Sequence, residues 1–345
     1  MSQTTIMKRL VILTAVPVIA LMLSSGTLIW NSYEQYRNSV QADKIIGVAV
    51  ASGDLIHPLQ IERGMTAGLI QSGGQKFADT LPASRAKTDE KLAEFRRKLE
   101  IAGTDSMPEL KQAAEEGLRV LDSLSRTRDQ ANRYTIPAGE ASAFFTGTIA
   151  SLLDVMSSAS EYNGDPEIAK KLAAYHAFVN AKENAGQERA LSVPVFVSNK
   201  VEPAQFRNIL GKIYKQEAYL DSFIDSASDQ EIAALKGVLD SEAAKEVQRM
   251  RGIMAERNVQ GGFEVNSAAW FKAITDKING LYEVEQLITK NIHTEIDKQM
   301  SAGRAQMAMR IIVATLVIIT AMIIAVWVAR SVSHSPASAS SGVCP

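Results

Sequence analysis

The chain has 345 residues, of which 46% are hydrophobic and 22% are charged, and its net charge at pH 7 is −1. This balance argues against a nucleic-acid-binding protein, because such a protein normally carries a basic excess. The single cysteine, Cys344, excludes a disulfide within the chain and a metal site built from cysteines. The four histidines lie far apart in the sequence, so we expect neither a metal ion nor a cofactor.

Two uncharged, apolar stretches, residues 10–30 and residues 311–329, lie near the two ends of the chain. Each is long enough to cross the roughly 30 Å hydrocarbon core of a bilayer as a single helix. Trp30 and Trp327 stand near the ends of these stretches, where indole rings settle at the membrane interface. The sequence therefore predicts two transmembrane helices. A cleaved signal peptide is the alternative for the first stretch, since residues 24–26 are small enough for cleavage.

The basic residues Lys8 and Arg9 precede the first apolar stretch and favour a cytoplasmic N-terminus, residues 1–9. Residues 31–310 would then form an extracytoplasmic domain, and residues 330–345 would form a short cytoplasmic tail. We thus predict a two-pass protein of the cytoplasmic (inner) membrane whose central domain is periplasmic or extracellular.

Helix-forming residues dominate the central domain, and no run alternates apolar and polar residues for long enough to predict a strand. Turn residues recur at regular intervals, which favours long helices in antiparallel bundles. We predict an all-α fold of about eight helices in two bundles, with the last helix running unbroken from Ser267 into the second membrane stretch. The predicted breaks are Gly73-Gly74, Gly103–Pro108, Tyr134–Pro137, Asn163–Pro166, Asn199–Pro203, Ser226–Asp229 and Asn258–Asn266.

One short pattern occurs twice, 126 positions apart. The segments LQIERGMTAGLIQSG and AGQERALSVPVFVSN each contain Glu-Arg, a small residue, a long apolar residue and a hydroxyl, and these stand at Glu62-Arg63 and Glu188-Arg189. We expect the two arginines to face each other across a bundle. A guanidinium is planar, permanently charged and weakly hydrated, so a pair of them suits a small planar oxyanion.

The neighbours of each arginine support this hypothesis. The small residues Gly64 and Ala190 would let a second helix approach closely and leave room for a small ligand. We expect Glu62 and Glu188 to compensate the charge of the arginines, because burial of two unpaired cations is unfavourable. Proline at position 58 and at position 194 is expected to kink or interrupt the helix near each arginine, which would free backbone N–H groups for an anion.

Other interpretations of the same residues stay open at this point. Arg63 and Arg189 could be solvated surface residues, or could pair with the glutamate that precedes each of them. Arg85 and Asp89 lie one helical turn apart and favour an intrahelical salt bridge. Trp270 and Phe271 are expected in the core. No arrangement of nucleophile, base and carboxylate indicates catalysis, so the chain is not expected to be an enzyme.

Four blocks resemble a known family, the nitrate- and nitrite-sensing (NIT) domain: LQIERGMTAGLIQSGGQKF at 59–77, RAKTDEKL at 85–92, AKENAGQERALS at 181–192 and WFKAITDKINGLYEVEQ at 270–286. The resemblance covers most of residues 45–295. It implies an all-helical sensor of two bundles that binds nitrate or nitrite between helices through arginines. By this resemblance Arg63 and Arg189 are ligand contacts. Arg85 is a weaker candidate, since a structural role suits it as well, and Arg249, Arg251 and Arg257 are not assigned individually.

With flanking transmembrane helices, the resemblance implies a receptor of the methyl-accepting chemotaxis transducer type, and a homodimer. Residues 329–333, ARSVS, look like the opening of a HAMP linker helix, after which the sequence reads HSPASASSGVCP. We therefore expect a receptor truncated after its second transmembrane helix, whose cytoplasmic output domain is missing or supplied by a partner. The alternatives are a sensor of this architecture for another small ligand, a membrane-anchored structural or assembly protein, and, least favoured, a membrane-tethered enzyme.

Overall fold

The computed structural model describes residues 3–161 and 166–333, and every regular element within them is helical, which confirms the all-α prediction. Residues 163–165 of the predicted break at 163–166, and residues 334–345 of the predicted tail, lie outside the described residues. The helices are α1 (Gln3–Gln71), α2 (Leu81–Ala102), α3 (Pro108–Leu121), α4 (Leu124–Asn132), α5 (Ala138–Glu161), α6 (Pro166–Ser198), α7 (Pro203–Ile224), α8 (Asp229–Leu239), α9 (Glu242–Glu256) and α10 (Ser267–Ser333), with a 3-10 turn at Thr104–Ser106.

The sequence predicted about eight helices and the described residues form ten, because two predicted helices are each divided in two. Between α3 and α4, Asp122 and Ser123 keep nearly helical backbone angles and turn the chain without glycine or proline. Between α8 and α9, the Ser241 hydroxyl accepts a hydrogen bond from the Ala244 amide and caps the new helix. Helix α10 begins at Ser267 and continues through the second apolar stretch, as the sequence predicts.

The chain divides into two compact units. One contains the described residues up to Val40 and from Asp297 onward, and the other contains residues 41–296. In the first unit, α1 and α10 are long and apolar enough to cross a membrane. Their apolar side chains are largely exposed, as at Leu23 and Trp327, which are 68% and 69% exposed.

In the unit of residues 41–296, α1 and α6 are the central helices. Residues 177–186 of α6 are all buried, and residues 45–60 of α1 are buried at nearly every position. A helix that is buried on all sides belongs to the core rather than to an amphipathic surface layer. The two copies of the Glu-Arg pattern therefore lie on the two most enclosed helices.

Each central helix is packed by later helices of its own half of the sequence. In the first half, Ser52 on α1 donates to the Leu152 carbonyl on α5, and Lys91 on α2 pairs with Asp54 on α1. In the second half, one apolar cluster joins α6, α7, α9 and α10 around the fully buried Trp270, whose prediction as a core residue is confirmed.

Of the predicted kink or interruption at each proline, the interruption is wrong. Pro58 lies within α1 and Pro194 lies within α6, and both helices continue beyond the proline. A proline removes one backbone donor, but the flanking hydrogen bonds and the surrounding packing hold the helix together. An anion site cannot rely here on N–H groups released by helix ends.

Candidate functional site

Arg63 on α1 and Arg189 on α6 are brought together by the crossing of the two central helices. A Cβ atom at Gly186 would lie 3.1 Å from Nη2 of Arg63, and one at Gly64 would lie 3.7 Å from Nη2 of Arg189. Each guanidinium therefore lies over the glycine of the opposite helix. Ala190, predicted to support this approach, is exposed. The small residue that faces Arg63 from the opposite helix is Gly186.

Arg63 is only 5% exposed and has a complete set of partners. It donates to both carboxylate oxygens of Glu183, at 2.6 and 3.1 Å, and to the hydroxyl of Thr146 at 2.8 Å. Glu183 also accepts from the side-chain amides of Gln60 and Gln187, at 2.8 and 2.7 Å. The interpretation of Arg63 as a solvated surface residue is wrong, and the sequence analysis missed Glu183, six positions before the second arginine.

Arg189 has different partners. It donates to the hydroxyl of Thr275 at 3.0 Å, and its guanidinium lies 5.0 Å from the ring centre of Phe271. Phe271 is 44% exposed, so its prediction as a core residue is wrong: it covers the arginine instead. Within the described residues, no carboxylate forms an ion pair with Arg189. Burial and then the positive charge of Arg63 lower the pKa of Arg189 to about 10, against the opposing effect of Glu183.

The prediction that Glu62 and Glu188 compensate the two arginines is wrong. Both glutamates are fully buried, but Glu62 is held by Arg128 on α4 at 2.7 and 2.8 Å. Glu188 is held by Arg251 on α9 at 2.7 and 2.6 Å. Adjacent residues on a helix point in different directions, so each glutamate faces away from the arginine that follows it.

The predicted pair of Arg85 with Asp89 does not form. Arg85 donates to Asn132 at 3.0 Å and lies 3.6 Å from Glu62, whereas Asp89 accepts from Arg128 at 2.7 Å. The structure thus places Arg85 in the network around Glu62, and its weaker assignment as a ligand contact stays a prediction.

The two halves of the unit formed by residues 41–296 repeat one arrangement of four residues. In each half, a buried glutamate of the central helix accepts two hydrogen bonds from an arginine of a later helix. The residue after that glutamate is an arginine, which donates to a threonine on the last helix of the same half. The four are Glu62, Arg128, Arg63 and Thr146 in the first half, and Glu188, Arg251, Arg189 and Thr275 in the second half. The sequence echo therefore corresponds to a structural repeat.

Lys212 on α7 adds a third cation to this region, which the sequence analysis also missed. Burial and Lys215 lower the pKa of Lys212, Glu183 opposes this effect and Arg63 reinforces it. The charge of Lys212 is thus coupled to both partners of the Arg63 ion pair. Arg63 and Arg189 themselves carry two positive charges next to one carboxylate, Glu183, and such an excess of positive charge favours an anionic ligand.

A second polar cluster lies between α1, α6 and α10. Lys182 forms an ion pair with Glu285, and both side chains are almost completely buried. The His57 ring stacks on Tyr282 with a 3.5 Å centroid separation, and the Lys182 amine lies 5.0 Å from the centre of the same ring. Burial, assisted by the charge of Lys182, lowers the pKa of His57 to about 3. The histidine is therefore neutral at physiological pH.

Comparison with known proteins agrees with this architecture. Residues 54–293 match the model of a family described as nitrate and nitrite sensing. The chain is 28% identical over 243 residues to the nitrate regulatory protein of Klebsiella oxytoca, and the match covers 70% of this chain but 61% of that protein. The structure of the NasR transcription antiterminator has the same fold, with a TM-score of 0.72 at 24% identity, over 88% of this chain and 84% of that one. Since the family match spans more than half of its residues, the chain belongs to the nitrate- and nitrite-sensing family.

Proposed function

We propose that the chain is a receptor that binds nitrate or nitrite between Arg63 and Arg189. The observation that carries this proposal is that the Arg189 guanidinium is largely buried and forms no ion pair with a carboxylate among the described residues. An enclosed cation without a counterion is unfavourable, and an anion bound beside it would relieve that cost. The family match supports nitrate or nitrite as the anion.

The geometry suits a small, planar ligand. The two guanidinium groups offer N–H donors in fixed planes, and such forks recognise planar oxyanions through paired hydrogen bonds. The Thr146 and Thr275 hydroxyls each accept from one arginine, which fixes the orientation of both groups. Because Gly186 and Gly64 have no side chain, each guanidinium can lie against the backbone of the opposite helix, which keeps the two arginines close together.

Removal of either arginine should weaken binding strongly. Hydrogen bonds to charged groups contribute about 1.5–3 kcal/mol each, so Arg189→Ala and Arg63→Ala should reduce nitrate affinity on the order of 10- to 100-fold. Isothermal titration of the full-length chain in detergent micelles would measure this, with chloride and sulfate as competing anions. Arg249→Ala is the matched control, because Arg249 is exposed and forms an ion pair with Glu246 on its own helix.

Three outcomes would separate the alternatives. Nitrate or nitrite binding that is lost in both site variants and kept in the control supports the proposal. Binding that survives both substitutions would contradict the assignment of these arginines. No binding of either anion would favour a sensor for another small ligand or a membrane-anchored structural protein.

We further infer that the receptor is anchored in the membrane by α1 and α10, with its sensor outside the cytoplasm. The apolar, exposed side chains of the first unit support this inference. Since α10 is continuous from Ser267 to Ser333, a change of helix packing in the sensor would pass along it to the membrane stretch. The homodimer and the partner that supplies an output stay predictions from the sequence.

The anchoring can be tested by fractionation. The expressed full-length chain should stay with the membrane pellet after an alkaline carbonate wash and should be released by detergent, because two apolar helices hold it in the bilayer. A tag at the N-terminus should be retained on the protein. Recovery of the chain in the carbonate supernatant would contradict membrane insertion, and loss of the tag would favour a cleaved signal peptide.

A further inference from the structure

We propose that Glu183 is a built-in competitor for the anion, which holds Arg63 in the absence of ligand and is displaced when nitrate or nitrite binds. This inference rests on the proposed function and adds the residue that sets the affinity. Glu183 uses both of its carboxylate oxygens on Arg63, at 2.6 and 3.1 Å. Two coplanar oxygens on one guanidinium are the same contact that a planar oxyanion would make. The carboxylate thus already occupies the position that the ligand needs.

The two halves of the repeat differ at this point. The position equivalent to Glu183, which lies 126 residues earlier, is His57. His57 stacks on Tyr282 and is neutral, so the first half offers Arg189 no carboxylate of its own. One arginine of the pair is therefore neutralised by the protein, and the other is left for a ligand. The two arginines are equivalent in the repeat, but within the described residues only Arg63 has a carboxylate partner.

The charges around the site indicate how Glu183 would change the affinity for different anions. Arg63 and Arg189 carry two positive charges beside the single negative charge of Glu183. Without the carboxylate, the same cations would attract any anion, including divalent ones, and would be more unfavourable to bury. Glu183 lowers the attraction for every anion and opposes a dianion more strongly than a monoanion. It therefore favours a weakly hydrated monoanion at moderate affinity.

Arg63 is not the only hydrogen-bond donor to Glu183. The amides of Gln60 and Gln187 donate to Glu183 independently of Arg63. Glu183 can therefore keep two neutral donors when it releases Arg63, so it is not left buried without hydrogen bonds. Since Glu183 and Arg189 are both on α6, displacement would change the forces between α6 and α1 at the point where they cross. This gives the ligand a difference in contacts between the free and bound states, which a conformational switch requires.

The test is the substitution Glu183→Gln in the full-length chain in detergent micelles. Glutamine keeps the shape and one of the two acceptor oxygens, replaces the other oxygen with an NH2 donor, and removes the competing charge. We expect nitrate to bind at least about 10-fold more tightly than to the unaltered chain. Sulfate, a divalent probe, should gain at least as much. Glu246→Gln is the matched control, because it removes one carboxylate from an exposed ion pair on α9 and should leave nitrate affinity unchanged.

Folding of the variant is checked in the same samples. Without ligand, Glu183→Gln should unfold at a lower temperature, since Arg63 loses its counterion, and nitrate should raise the unfolding temperature more than in the unaltered chain. If this variant does not fold, Glu183→Asp keeps the charge but shortens the reach to Arg63, and it should bind nitrate more tightly to a smaller extent.

The binding measurements on the Glu183 and Glu246 variants distinguish the competitor proposal from the receptor proposal. Tighter nitrate binding by the Glu183 variants, with no change in the Glu246 control, supports the competitor. Equal or weaker binding by a folded Glu183 variant, while the unaltered chain binds nitrate, overturns the competitor and leaves the receptor function standing. No binding of nitrate or nitrite by any of these chains overturns the receptor function itself.

Discussion

Replacement of Lys182 with methionine should lower the free energy of unfolding by about 3–5 kcal/mol, because it leaves the Glu285 carboxylate buried without its partner. Glu285 is 1% exposed and Lys182 is fully buried, so neither charge can turn to water for compensation. Urea unfolding of the detergent-solubilised full-length chain, followed by circular dichroism, would measure the change. Burial already raises the pKa of Glu285, and Lys182 opposes this rise.

The loss should depend on pH with a defined sign. Without Lys182 the folded-state pKa of Glu285 rises further above its unfolded value. The deficit is therefore largest above the folded pKa and shrinks as the pH falls to the unfolded pKa of about 4.5, below which the carboxyl group becomes neutral in both states. The double variant Lys182→Met with Glu285→Leu removes both charges and should recover most of the stability. If the double variant is no more stable than the single one, the loss comes from packing and not from an unpaired charge.

Glu188→Ala should be comparably damaging, with a loss of about 3–5 kcal/mol, since it leaves buried cations without a carboxylate. Arg251 loses two hydrogen bonds, at 2.7 and 2.6 Å, and Lys277 loses the negative charge that supports its proton. The equivalent change in the first half, Glu62→Ala, should be milder. There Arg128 keeps a second carboxylate, Asp89, at 2.7 Å. Glu246→Ala, at an exposed ion pair, should change stability by less than about 1 kcal/mol.

The pH dependence of the Glu188 variant gives an independent check. In the unaltered chain, burial and then Arg251 lower the pKa of Lys277 to about 8, and Glu188 opposes this. Between this value and the ordinary lysine pKa of about 10.5, the unfolded chain holds a proton that the folded chain has released, so stability rises with pH. Removal of Glu188 should lower the folded pKa further and extend the rise to lower pH. A profile identical to that of the unaltered chain would contradict this account of Lys277.

Local signals in the sequence predicted most of the helix bounds, but they did not predict which residues pair with the buried charges. Glycine and proline mark most of the helix ends, whereas the turn at Asp122-Ser123 lacks both and was missed. The repeated Glu-Arg pattern predicted that Arg63 and Arg189 are equivalent. It did not predict that Arg128 and Arg251, more than 60 residues away, hold the glutamates. Such pairings depend on tertiary packing, which a single sequence does not encode locally.

Glu183 and Lys182 were missed for a different reason. In the segment AKENAGQER, charged and amide residues are dense enough to indicate a solvated helix face. The structure places this segment on a central helix that is buried on all sides. Polar residues there are satisfied by one another and by neighbouring helices, so composition alone points to the wrong environment.

The repeat has a consequence for stoichiometry. Because the two arginines come from equivalent positions in the two halves, the place where they meet occurs once in each polypeptide, although each half carries the full pattern. Under the function proposed above, neither half contains a complete binding site, so a fragment with one half would not bind the anion. One ion would then be bound per whole sensor, and it would contact both halves at once.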